Sequence, residues 1–131
     1  MSASLYRTDY HAWTQDQAAR LRQAAVERIN TDLDWDNLAE EIEGMGGSER
    51  REIHSRLIEL LFHIAKLAWS PDTAPRADWT VSVLNQRDGI AFVIKDSPSL
   101  TRYPGEVFEV CWSKARKRTA VALALPLSRV P

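Results

Sequence analysis

The feature that most constrains this chain is a row of apolar residues: Ile53, Leu57, Leu60, Leu61, Ile64 and Ala68. Apolar side chains recurring three and four positions apart line one face of an α-helix. Arg50, Arg51, Glu52, Arg56, Glu59 and Lys66 flank the row, so the predicted helix over about 49–69 is amphipathic and needs a partner surface over its apolar side. Ser70-Pro71 stops it, because proline disfavours the helical region for the residue before it. At 1.5 Å per residue such a helix is about 30 Å long, the width of a small domain. A chain of 131 residues built on an element of that size has room for one core, so a single helical domain over 1–131 is expected.

The flanking segments give further elements. Thr14 and Gln17 form a capping box, and Ala18, Leu21, Ala25 and Ile29 predict a helix over 15–29, closed by the turn cluster Asn30-Thr31-Asp32. Asp34 or Asp36 caps a second, shorter helix with Leu38, Ile42 and Met45 as its buried stripe. Gly44, Gly46 and Gly47 end that helix in this reading, and Ser48 caps the long one. The stretch 76–113 supports two patterns. Trp79-Thr80-Val81-Ser82-Val83 alternates like a strand, Asp88-Gly89 is a turn signal, and Ile90–Ile94 is β-branched, which together give a hairpin at 79–94 and an α+β fold. Trp79, Val83, Ile90 and Ile94 also form a helical stripe between Pro75 and Ser97-Pro98. Pattern alone leaves the two even. Pro104 opens a last helix to about Ala122, with Phe108, Cys111, Trp112 and Ala115 inward.

The charges nearly cancel, 17 basic against 18 acidic, which excludes a generically basic nucleic-acid binder and an acidic DNA mimic. They are segregated, however. From Asp32 to Glu49 there are seven acids and no base, and 113–131 holds Lys114, Arg116, Lys117, Arg118 and Arg129 with no acid. One reading is an acidic face for a metal or a basic partner, with a basic edge for nucleic acid or an acidic partner. The plainer reading is that the two faces pair or are solvated. Glu40, Glu41 and Glu43 crowd a short helix, so at least one is expected to be partly buried against a base from 50–66.

Signals for chemistry are few. His63 has Glu59 one turn before it, a pairing that can position a base or complete a metal shell. Di-metal bundles need Glu-x-x-His on two helices, and this chain has none, so His63 reads as a structural residue bonded to Glu59 or a neighbouring carboxylate. Gly44-Met45-Gly46-Gly47-Ser48 follows a helix and lacks the Gly-Lys-Ser/Thr of a phosphate loop, so it reads as an interhelical turn. Cys111 is alone, which excludes an intrachain disulfide and a cysteine zinc site and suits a buried thiol in a reducing cytoplasm. The N-terminal residues form no signal peptide, and no apolar run is long enough to span a bilayer. No catalytic, cofactor-binding or metal-ligating residue is assigned, and no cofactor is expected.

Several blocks resemble one bacterial family. Asp9-Tyr10-x-x-Trp13-x-x-x-Gln17-x-x-x-Leu21-Arg22 is similar to its opening. Leu38-Ala39-Glu40-Glu41-Ile42-Glu43-x-Met45-Gly46-x-Ser48-Glu49-Arg50-Arg51 is the most specific block. Leu60-Leu61-x-His63-x-x-Lys66-x-x-x-x-Pro71, then Trp79, Gln86-Arg87, Ile90 and Asp96-Ser97-Pro98-Ser99-Leu100 complete the pattern. The family is the one catalogued as domain of unknown function 29, and the resemblance runs from about residue 5 to 125. It implies an all-α fold, a small bundle of about five helices, with 76–95 and 104–122 helical. Gly89 and the β-branched residues after it depart from the family pattern and leave a kink or local strand open. The chain stops soon after Pro126-Leu127, where many members continue into a tail, so a truncated or diverged end is expected. The family has no assigned activity, and the resemblance therefore assigns no catalytic residue.

The leading expectation is a non-catalytic protein-interaction module with an unidentified protein partner or a second copy of itself, and no membrane partner. The rival is a nucleic-acid-associated accessory protein using Arg50, Arg51, Arg116, Lys117 and Arg118. A weaker rival is a carboxylate–histidine hydrolase around Glu40, Glu59 and His63.

Overall fold

The computed structural model describes residues 2–27 and 32–131. Among these residues six α-helices run in order: α1 Ser2–Thr8, α2 Tyr10–Val26, α3 Trp35–Trp69, α4 Arg76–Asp96, α5 Tyr103–Glu106 and α6 Phe108–Ala122. Two 3₁₀ turns lie at Pro98–Leu100 and Leu127–Arg129, and no strand occurs among the described residues. The fold is all-α, and the hairpin at 79–94 does not form. There α4 is continuous, and Gly89 sits inside it beside the Arg56 side chain.

Four sequence readings change. The first long helix starts at Tyr10, with Asp9 as its cap: Asp9 Oδ1 accepts the Ala12 N–H at 2.9 Å. Thr14 is therefore interior and fully buried, and its hydroxyl donates to the His11 carbonyl at 2.7 Å. Ile29 and the turn residues Asn30 and Thr31 lie outside the described residues. The second and third predicted helices are one helix, α3, 35 residues long. Asp34 caps its start, accepting the Asn37 N–H at 3.3 Å. The glycines do not break α3, because none has the positive φ of a helix-ending turn. Ser48 donates to the Met45 carbonyl one turn back at 2.7 Å, as serine does inside a helix.

The buried stripe of α3 also shifts. Leu38 and Met45 are exposed, whereas Ala39, Gly46 and Ile53 are buried. The buried line therefore consists of small residues in the first half of the helix and large ones in the second. Ile64 and Ala68 face solvent, and Ala65 takes the core position between them. The last predicted helix is divided into α5 and α6 at Val107, and Phe108 is exposed while Cys111 and Ala115 are fully buried.

The chain divides into two compact units, Met1–Arg51 with Val93–Thr101, and Glu52–Phe92 with Arg102–Pro131. In the first unit Ala18, Ala39, Val93 and Leu100 are buried, beside an aromatic group of Tyr6, Tyr10 and Trp13 with ring centroids 4.8–6.0 Å apart. In the second, Leu57, Leu60 and Leu61 pack with Cys111 and Ala115, and Ile58, Phe62, Ile90, Val107 and Trp112 close over them. The end of α6 turns through Ala124 at φ 53°, where the Leu125 N–H returns to the Ala120 carbonyl at 2.9 Å. The following tail folds back within this unit. Arg116 donates to the carbonyls of Val130 and Leu127, and Val130 is fully buried.

Candidate functional site

In the first unit a buried polar network gathers around His11, a residue the sequence patterns do not single out. Its ring Nδ1 lies 3.0 Å from the Gly46 carbonyl. A carbonyl only accepts, so Nδ1 carries the proton. Nε2 then accepts from Arg50 at 3.1 Å. The His11 backbone N–H donates to Ser97 Oγ at 2.9 Å, and that hydroxyl donates to Glu49 Oε2 at 2.6 Å. Asp9 ties the start of α2 to the 3₁₀ turn, accepting Ser99 N–H at 2.5 Å and Ser99 Oγ at 2.8 Å. Beside this network Tyr6, Arg7, Tyr10, Glu49 and Asp96 line an open cleft of about 350 Å³. Burial pushes the Tyr10 hydroxyl above its usual pKa, and the Glu49 and Tyr6 charges push the same way.

Each internal polar atom of the His11–Ser97 chain has a protein partner, which makes it a fastening between α2, α3 and the 97–99 segment. Ser97→Ala should cost about 1–3 kcal/mol in a denaturation experiment, because it leaves the buried His11 N–H unsatisfied. The same variant should leave the second unit's native hydrogen-exchange protection unchanged.

The acidic residues behave differently from expectation. Glu40, Glu41 and Glu43 are all exposed. Glu43 pairs with Arg22 of α2 at 2.5 Å, not with a base from 50–66. The reason is the continuity of α3: with no turn at 46–47, residues 50–66 do not fold back beside 40–43. Arg50 faces His11, and Arg51 is exposed beside Gly47.

In the second unit His63 is bonded to Glu59 through the backbone: ring Nδ1 meets the Glu59 carbonyl at 2.7 Å. The Glu59 carboxylate instead holds Arg118 at 2.5 Å. Arg118 also stacks over the Phe62 ring, 4.4 Å from its centroid, and Lys66 lies over Phe62 and Trp79 at 4.3 and 4.9 Å. Burial lowers the Lys66 pKa, Arg118 lowers it further, and Glu59 partly offsets both. Two of the five basic residues of 113–131 are thus engaged internally, Arg116 by carbonyls and Arg118 by Glu59. Lys117 is exposed and enters no ion pair among the described residues. Cys111 is fully buried, with its thiol pKa raised by desolvation, and no group of three or more metal-ligating side chains occurs among the described residues.

The same unit carries an apolar surface at the end of α6. Val121 is 83% exposed. On one side Phe62, Lys117, Arg118, Val121 and Ala122 line a shallow groove of about 410 Å³. On the other, Lys117, Ala120, Val121, Ala124, Leu125 and Leu127 line one of about 430 Å³. A further stripe on α4, formed by Val81, Leu84 and Phe92, is 50–68% exposed.

The family model "Domain of unknown function DUF29" matches residues 5–131. The chain belongs to the DUF29 family. It is similar to an α-helical protein of unknown function from Rhodospirillum rubrum, whose crystal structure superposes with a TM-score of 0.77 at 28% identity, covering 91% of this chain and 74% of that one. No curated protein matches. In this DUF29 member the family-like block at 38–51 and the segment 96–100 meet through Glu49 and Ser97. The signal for that meeting was the clustering of polar residues in both blocks. Sequence spacing gave no hint that His11 would join them, because it lies 35 residues from Gly46 and 86 from Ser97. Among the described residues, no helix is long and apolar enough to cross a membrane.

Proposed function

We propose that this DUF29 protein is a non-catalytic protein-interaction module of the bacterial cytoplasm, and that the end of α6 is its docking surface. The observation that carries this reading is the Val121 surface: an aliphatic side chain, 83% exposed, between two apolar grooves and beside Lys117, which enters no ion pair among the described residues. Exposed apolar side chains scattered singly need no explanation, but here one stands between two grooves that share it. The lone cysteine, buried and raised in pKa, suits a reducing compartment. The His11 network supports the same reading, since its internal hydrogen bonds are made within the protein and serve cohesion.

A nucleic-acid role would draw on the basic edge. Arg116 and Arg118 have their guanidinium groups engaged by carbonyls and by Glu59, which favours the protein-docking reading over phosphate binding. The test is a photo-crosslinking amino acid placed at Val121 and, separately, at the exposed Ala19 of α2, in the native host. A discrete crosslinked protein band from position 121 and none from 19 is expected. Equal labelling from both positions, or crosslinks only to nucleic acid, overturns the reading.

A further inference from the structure

We propose that the occupant of the Val121 surface is the acidic face of α3 in a second copy of this chain. The inference rests on the docking reading above and names its partner. Both halves of the contact are present in one chain. The first half is the α6 end, with Val121 and Leu127 exposed, apolar grooves on either side, and Lys117 shared by both grooves. The second is the start of α3. Leu38 and Met45 are 40% and 48% exposed, and Glu41 lies between them at helical spacing, so the three share one stripe. Asp34 continues that stripe one turn before Leu38, and Asp34 and Glu41 are both exposed and in no ion pair among the described residues.

The two surfaces complement one another in kind. Each is an apolar strip, and the charges beside it that enter no ion pair among the described residues are opposite in sign: Lys117 on α6, Asp34 and Glu41 on α3. An acid-rimmed helix laid into the α6 grooves would place Leu38 or Met45 against Val121 and a carboxylate against Lys117. Electrostatic complementarity of this sort steers encounter and fixes register, and the apolar centre holds the complex. Because different surfaces of the two copies meet, the contact is heterologous, and successive copies add until the rotation closes a ring or fails to.

The experiment is sedimentation equilibrium of the intact chain at low and high salt, with circular dichroism confirming that each variant is folded. At about 50 mM salt the average mass should rise with protein concentration, and the rise should diminish at about 500 mM as the charges are screened. Val121→Asp, at an exposed position, should abolish association without changing the spectrum. Lys117→Glu and Glu41→Lys should each weaken it by about tenfold, and the double variant should recover most of the loss. A monomer at every concentration up to about 1 mM overturns the proposal. So does association that survives Val121→Asp, or a double variant no better than the worse single one. A monomeric protein that still crosslinks to another protein from position 121 removes the second copy as occupant and leaves the docking surface standing.

Discussion

Gly46→Ala should destabilise the protein by about 2–3 kcal/mol, while Gly44→Ala, two residues away on the same helix, should stabilise it by about 0.5–1 kcal/mol. The two glycines have opposite surroundings. A Cβ on Gly44 meets nothing within 4 Å, so alanine there gains helix propensity at no steric cost. A Cβ on Gly46 falls 2.0 Å from Thr14 Oγ1 and 3.1 Å from Thr14 Cβ. Thr14 cannot swing aside: it is fully buried, β-branched and bonded to the His11 carbonyl. Relief therefore requires α2 and α3 to separate, which strains the His11 bond to the Gly46 carbonyl as well. Gly89→Ala is an internal control, because the atoms it meets belong to the Arg56 guanidinium, the far end of a flexible side chain. Urea denaturation of the three variants checks the order. A Gly46→Ala midpoint equal to that of the parent would show that the two helices are less tightly apposed than described.

Those glycines mark where sequence patterns stop being informative. Glycine serves both as a helix terminator and as a residue that lets two helices approach, and a run of three near a serine points to the first. The deciding quantity is the neighbour at Gly46, Thr14, which lies 32 positions earlier and is invisible to local reasoning. The same error displaced the acidic residues: a turn at 46–47 would have brought bases of the next helix beside Glu40–Glu43, whereas the continuous α3 leaves Glu43 to Arg22. By contrast the stop at Ser70-Pro71 and the buried Ile53, Leu57, Leu60 and Leu61 were legible, because periodicity and proline act over a few residues. Region 76–96 shows a middle case. Its β-branched residues and Asp-Gly pair fit a strand as well as a helix locally, and only the family resemblance selected the helix that forms. The candidate site was the least legible part. Charge segregation pointed to the acidic and basic stretches, but which cations remain unpaired depends on contacts such as Arg118 with Glu59, 59 residues apart in sequence.

Leu61→Ala should cost about 2–5 kcal/mol, the range for removing a buried leucine side chain from a packed core. Leu61 is 9% exposed and sits in the cluster with Leu57, Leu60, Cys111 and Ala115. Cys111 and Ala115 are small and lie on the rigid face of α6, so they cannot expand into the space left behind. Collapse would have to come from Phe62, Ile90 or Trp112, each already packed against the cluster, and the cost should fall in the upper part of that range. Ile64→Ala, three residues on, should change stability by less than about 1 kcal/mol, because Ile64 is 43% exposed and alanine is the better helix former. The contrast tests the face of α3 directly. The apolar row in the sequence places both residues inward; the structure turns Ile64 out and puts Ala65 in its place. Equal losses at 61 and 64 in a denaturant titration would mean that the helix is rotated toward the sequence-predicted face. A large loss at 61 with a small one at 64 fixes the rotation described, and with it the side of α3 that packs against α6.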